Sequence, residues 1–472
     1  MRSATYIGIA ISLVSLVGLS IYTGINRKSR GSAGLSRAVV TGLLMGTIVG
    51  GSSTVGTAQL AFTYGMSACW FTFGCAIACV VLALAFFSPI KRSGSSTLVG
   101  VISAEYGSRA GTQATVLNSA GMFINILSQL LSCSAVVLVI APAIGSSRAI
   151  IIGAVFMIVY VIFGGTKGAG IVGILKSVLI YVSMLLCGYI AIQHSGGLQS
   201  FLGGVSALCA ETGRNLFSPF CRGLGTDLGA GISLVLGVIT TQTYTQAMLG
   251  ARSDRDAKIS AMICAVLMPI LGMLGIIVGL HMRMTVPDPA GFVTRTALTS
   301  FVLDYSGISP LFAGIILGAL FITAVGTGSG LALGIATVID REIIEKRPSR
   351  AAGKASAASS ERIVTICIAA VIALAALLSC TPIGDTILSF GFLSMCLRGC
   401  TVFAPLCFAL WAKGKVAPRF AELSILIGSL LALALGLVNM YGILKLPCDS
   451  VFFGIGAGLV IMAAGYMKGK AR

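Results

Sequence analysis

Two cations sit where charge is hardest to keep. Lys176 and Arg398 each fall deep inside a long apolar run of the sequence. Lys176 follows the start of its run at Gly168 by eight residues, roughly 12 Å at the helical rise per residue. Arg398 follows Ile387 by eleven, roughly 16 Å by the same rise. Both depths approach the middle of a hydrocarbon layer about 30 Å thick. An ionised side chain there is costly, and it marks a functional site unless it snorkels to an interface or to backbone carbonyls. Acidic residues do not answer them: Glu105, Asp227, Asp304, Asp340 and Asp385 lie at run edges or in loops, which argues against a carboxylate proton relay.

Neutral polar residues gather at three places inside apolar runs. Gly46 to Gly56 reads Gly-Thr-Ile-Val-Gly-Gly-Ser-Ser-Thr-Val-Gly, a dense series of weak helix formers. Thr240, Thr241, Gln242, Thr243 and Gln246 form the second cluster, and Thr323 with Gly326 to Gly330 the third. A helix broken in mid-membrane frees carbonyls that can bind a cation, and hydroxyls beside them suit Na⁺ or a small polar solute. Tight helix crossing and ordinary interhelical hydrogen bonding account for the same residues equally well.

Covalent chemistry finds no footing. The sequence has two histidines, His194 and His281, and neither an HExxH nor a GxSxG motif, so no catalytic residues, and hence no enzyme, are expected. Its 14 cysteines are mostly single residues in apolar runs, without a CxxC pair, which disfavours a metal or redox site. Cys209 and Cys221 share one loop and are the pair whose spacing admits a disulfide. No cofactor is called for beyond a coupling ion, Na⁺ or H⁺.

The elements that must position these residues are membrane spans. Apolar residues make up 56% of the 472-residue chain and charged residues 10%, well below the quarter typical of soluble domains. About thirteen runs are long enough to span: near Thr5–Thr23, Ala38–Tyr64, Ala68–Ile90, Leu117–Ile140, Ala149–Phe163, Gly168–Ile192, Leu228–Leu249, Ile259–Leu280, Pro310–Ile339, Ile363–Leu378, Ile387–Trp411, Leu423–Met440 and Val451–Met467. The stretches His194–Asp227 and Met284–Ser309 read as loops. About 23 of the 32 Lys and Arg residues fall in alternate loops, among them Arg27, Lys28, Lys91, Arg252, Arg341 and Lys413. That bias places the N-terminus outside and the C-terminus inside a cell membrane. The net charge of +18 is therefore a topology signal, and nucleic-acid binding is not expected.

Three short motifs extend the reading: Tyr64-Gly65-Met66-Ser67-Ala68-Cys69-Trp70 after the Gly/Ser-rich run, Gly164-Gly165-Thr166-Lys167, and Arg341-Glu342-Ile343. With the span pattern they make the chain, from about Ala38 to Lys415, resemble the sodium:solute symporter family. The resemblance implies an all-α membrane fold with a five-plus-five inverted repeat of the leucine-transporter type. Residues 1–37 would be peripheral, 38–415 the core (repeat one 38–193, repeat two 227–412) and 416–472 two further peripheral helices. It also implies cation-coupled symport of a small polar or anionic organic solute by alternating access. The family's sodium site maps onto the carbonyls of Gly46 and Val49 and a hydroxyl pair at Gly326 and Thr327. One hydroxyl of that pair is absent, unless Ser329 substitutes. Where the family carries a Thr-Asp…Gln pattern, this chain has Val172, Gly173 and Lys176, so Lys176 is a candidate surrogate for the ion. A proton-coupled or uncoupled carrier is then the alternative, and a transporter-like sensor or complex subunit the reading from another class. The expected solute contacts are Ser52, Ser53, Thr54, Thr241, Gln242 and Gln246, with Arg398 offering a guanidinium fork to a carboxylate. Membrane lipid and a small-molecule solute are the expected partners.

Overall fold

The structure, a computed structural model, describes residues 2–25, 34–164, 169–339, 369–377 and 386–470. Among these residues the chain is helical almost throughout, and its one β-bridge joins Leu35 to Ala251. Among the described residues eight helices are long and apolar enough to cross a membrane, nine if one bent pair counts as a single span, and three shorter apolar helices accompany them. The runs expected at Pro310–Ile339 and Ile387–Trp411 are single helices with those bounds. Residues 27–30, Gly165-Thr166-Lys167 and Arg341-Glu342-Ile343 lie outside the described residues, and the expected span Ile363–Leu378 is described over 369–377.

Two expected spans are each two helices. Arg37–Ile48 ends at Val49, whose ψ of 106° is extended, and the chain resumes through a π-turn at Ser52–Gly56 into Thr57–Tyr64. Leu224–Ile239 ends at Thr240, Thr241 is extended with ψ 118°, and Gln242–Leu249 continues at a bend of 46°. Both breaks fall on the clusters of weak helix formers, where local propensity offers least resistance.

Elsewhere the sequence understated the helices. The expected loop His194–Asp227 contains the helix Leu198–Thr212, which buries Phe201, Val205 and Leu208 along one face. A further helix, Leu98–Tyr106, starts at Thr97, whose hydroxyl accepts from Gly100 N at 2.8 Å. The helix expected from Leu117 begins at Ser108 and runs to Ile140. Short helical turns at Thr294–Thr296, Ala297–Ser300 and Phe301–Tyr305 replace the expected loop around Met284–Ser309.

Close helix crossings set the geometry of the core. Gly173, on the Ala169–His194 helix, crosses the Arg37–Ile48 helix so tightly that a Cβ there would lie 2.1 Å from Gly42 O. Gly65 ends the Thr57–Tyr64 helix at φ +55°, and a Cβ there would meet Leu216 O at 2.3 Å. Only glycine permits that turn against the 213–223 loop.

Candidate functional site

The first break leaves main-chain groups without helical partners. Val49 N still bonds Met45 O at 2.8 Å, but Gly50 N turns to Ser53 Oγ at 3.1 Å. The Gly46 carbonyl, which an unbroken helix would pair with Gly50 N, is therefore orphaned. Lys176 fills the gap. Its Nζ donates to Gly46 O at 2.8 Å and to Thr327 Oγ1 at 2.9 Å, and Thr327 Oγ1 donates to Val49 O at 3.1 Å. Lys176 lies one turn beyond Gly173, so the glycine crossing carries the ammonium to that carbonyl. The ammonium also faces the C-terminal end of the Arg37–Ile48 helix, where the helix dipole favours a cation.

Four sequence candidates thus meet at one point: Gly46, Val49, Thr327 and Lys176. Ser329 is placed elsewhere, because its hydroxyl donates to Met157 O at 3.0 Å on the neighbouring Ser146–Gly164 helix. Two residues beyond Thr327, the helical turn has rotated it away from the break. At Gly326, an added Cβ would find Lys176 Nζ at 3.8 Å and Tyr160 Oη at 3.9 Å.

Side chains on the Ser108–Ile140 helix secure the rest of the break. Gln129 accepts from Gly51 N at 2.8 Å and donates to Ser52 Oγ at 3.0 Å and Asn125 Oδ1 at 3.2 Å. Ser52 and Ser128 hydroxyls are 2.7 Å apart, and Ser128 donates to Ile387 O at 2.8 Å. Ser53 and Thr54 both donate to Gly50 O at 3.0 Å. Sequence reading passed over this polar column. The amides and hydroxyls at 118, 125, 128, 129 and 132 share a helical face, and that period inside an apolar run was the available signal.

At the second break the visiting charge is Arg398, fully buried on the Ile387–Trp411 helix. Its Nη1 donates to Thr241 Oγ1 at 2.7 Å, its Nη2 to Ser394 Oγ at 3.0 Å and its Nε to Ser394 O at 3.2 Å. Thr241 in turn donates to Gly237 O at 2.6 Å. Among the described residues no carboxylate lies within ion-pair distance of Arg398 or Lys176. Gln242 does not join Arg398: it accepts from Leu98 N at 2.7 Å and donates to Ser96 O at 3.1 Å, tying the break to the Leu98–Tyr106 helix. Gln246 is half-buried on the second segment, and Thr243 and Thr245 carry buried hydroxyls without hydrogen-bond partners.

The segments flanking the two breaks are tied to each other at one end, and at the other mainly to the helices and turns around them. At one end Leu35 N bonds Gly250 O at 2.8 Å, Arg252 N bonds Leu35 O at 2.9 Å, and Arg37 pairs with Asp256 at 2.9 Å. Lys91 pairs with Asp254 beside them. At the other end Gln59 accepts from Ile387 N at 2.9 Å and donates to Thr294 Oγ1 at 3.2 Å, and Phe62 stacks on Phe292 at 5.2 Å. There too Asp227, fully buried, pairs with Arg222 at 2.6 Å and accepts from Ser67. Cys209 and Cys221, the pair for which a disulfide was admitted, are free thiols.

A sequence model of the sodium:solute symporter family matches residues 31–428, which includes both breaks, Lys176 and Arg398. The chain belongs to the sodium:solute symporter family. Its members are multi-pass membrane transporters, and the helices described here fit that class. Among curated relatives, the family member is 22% identical over 328 residues to the high-affinity choline transporter 1 of Drosophila melanogaster, covering 66% of this chain and 51% of that one. It is 23% identical over 227 residues to the uncharacterized symporter YwcA of Bacillus subtilis (strain 168), covering 46% and 44%. The chain thus spans about half the length of the curated relatives it matches. Among solved structures, a substrate-bound, outward-open Na⁺-coupled sialic acid symporter superposes with a TM-score of 0.76 at 16% identity, over 99% of this chain and 98% of that one. A nucleobase-cation-symport-1 family transporter in a closed conformation gives 0.58 at 10% identity, over 94% of both. These likenesses establish the all-helical, inverted-repeat fold of the family member.

Proposed function

We propose that this protein is a secondary active transporter, not an enzyme, which carries a small polar or anionic organic solute by alternating access, coupled to a cation. The single observation behind the reading is the pair of broken helices, each facing a buried cation, with their flanking segments held at one end by the Leu35–Gly250 contact and at the other by Gln59 and Ser67. Breaks of this kind expose carbonyls and hydroxyls at mid-depth, and the ties at the two ends can open in turn. Family membership makes sodium the coupling ion to test first. The repeats would run over 38–193 and 227–412, with 1–37 and 416–472 peripheral. The basic loops would face the cytoplasm, because Lys and Arg are retained on that side of a cell membrane.

For the solute, the proposed contacts are Arg398, Thr241 and Gln246 around the second break and Ser52, Ser53 and Thr54 at the first. Arg398 supports the anionic class, since its guanidinium is fully buried and no carboxylate among the described residues lies within ion-pair distance of it. A carboxylate that displaced Thr241 or Ser394 from the guanidinium would gain charge-assisted bonds. The test is uptake of labelled small organic acids and their neutral amides into proteoliposomes containing the purified chain, under imposed ion gradients. Saturable uptake of an acid, driven by a cation gradient, is expected. Lack of flux for every acid and amide in every gradient would refute the transport reading and leave a sensor or complex subunit.

A further inference from the structure

Sodium bound at the first break would need oxygen ligands from Gly46, Val49 and Thr327, and those oxygens are already engaged. Gly46 O and Thr327 Oγ1 accept from Lys176 Nζ, and Val49 O accepts the Thr327 proton. The lysine is not a passing neighbour. It is 6% exposed, its helix is pinned against the broken helix at Gly173, and no carboxylate among the described residues lies near enough to draw it away. A free cation entering this position would have to displace Lys176 Nζ from both Gly46 O and Thr327 Oγ1. Gly326 completes the arrangement. It offers no hydroxyl to a metal ion, and the space beside it holds the ammonium and the Tyr160 phenol.

We infer that Lys176 is the resident cation of this position, held on the chain itself, and that this break works without bound sodium. The inference deepens the transporter reading, since it states what occupies the cation position of the proposed carrier. An ammonium bonded to a broken-helix carbonyl and to a hydroxyl of the Pro310–Ile339 helix joins three helices, the role a bound ion would otherwise fill. Gly326 is the residue that makes room for it. Restoring an oxygen there while removing the charge should turn the position back into an ion site, because hard cations are held by carbonyl and hydroxyl oxygens.

The experiment measures binding of radioactive sodium to the purified full-length chain in detergent, with choline chloride holding ionic strength constant. Thr327→Val is added to each background to mark binding at this break. In the wild type, no sodium binding that Thr327→Val removes is expected. In Lys176→Gln/Gly326→Ser, saturable sodium binding should appear, and Thr327→Val should abolish it. Wild-type binding lost on Thr327→Val would overturn the inference. So would a double variant that keeps the wild-type size-exclusion profile yet gains no sodium. If the double variant does not fold, the wild-type comparison still decides the matter. Proteoliposome uptake separates the two readings: flux that requires sodium through Thr327 sinks this inference alone, whereas absence of any flux sinks the transporter reading and leaves the binding result standing.

Discussion

At the Val49 break the visiting cation binds a main-chain carbonyl and one hydroxyl, whereas at the Thr241 break Arg398 is held mainly by the side chains of Thr241 and Ser394. Both charges are buried and, among the described residues, neither has a carboxylate within ion-pair distance, but their partners differ in kind. A carbonyl orphaned by a helix break accepts any cation of suitable size, and no single substitution removes it. Hydroxyl partners can rotate, and a solute carboxylate can replace them. Lys176 therefore has the features of a fixture, and Arg398 those of a hand that can change its grip. Arg398 is also planar and many-donored, which suits a carboxylate better than a point charge does.

The largest effect should come from weakening the second break. Arg398→Gln should lower affinity for an anionic solute by about 2 kcal/mol, the scale of a hydrogen bond to a charged group, or roughly 30-fold in Kd. Arg398→Lys should recover little of it. Isothermal titration with a transported acid would check this, and unchanged affinity in Arg398→Gln would make Arg398 a packing residue.

Next in size is a pair of hydroxyl deletions. Thr327→Val takes from the ammonium one of its two partners and from Val49 O its donor, and should cost about 2 kcal/mol of stability. Thr241→Val leaves Arg398 its bonds to Ser394 and should cost about 1 kcal/mol. Thermal unfolding in detergent would rank them, and the reverse order would mean that Arg398 is the more tightly held charge.

Gly173→Ala should act on the first break alone. Its methyl group would overlap Gly42 O, so the helices must part, at a cost of about 1–2 kcal/mol in the range of overpacked cores. The separation should also raise the reactivity of Lys176 towards an amine-directed label. Wild-type labelling rates in a stable Gly173→Ala protein would contradict the tight coupling of crossing and charge.

A change as small as that of Thr241→Val is expected of Ser52→Ala. It removes the hydroxyl between Ser128 and Gln129 and should cost about 1 kcal/mol, the net worth of an ordinary hydrogen bond. Solute affinity should be nearly unaltered if Ser52 secures the break, and should fall at least tenfold if Ser52 touches solute as proposed.

The sequence made some of this legible and hid the rest for physical reasons. Breaks announce themselves as clusters of Gly, Ser and Thr, because such residues resist a helix locally. Lys176 and Arg398 announce themselves as charges inside apolar runs. The direction in which a side chain points is a tertiary property. Ser329 lies two residues from Thr327, yet the helix turns it to Met157 O. Gln242 sits beside Thr241, yet it serves the Leu98–Tyr106 helix, itself unseen because its apolar stretch is short. The Leu198–Thr212 helix was hidden by its glycines and by its position between two longer runs.

The crossing at Gly42, Gly46 and Gly173 has a consequence for grafting this arrangement onto other chains. A lysine spans a limited distance, and here that distance is set by two backbones touching with no side chain between them. A relative given the same lysine but a bulkier residue at the crossing would leave its ammonium short of the carbonyl. The transferable unit is therefore the bare crossing together with the lysine one turn above it. A lineage could adopt a tethered charge in one step only if its helices already met this closely.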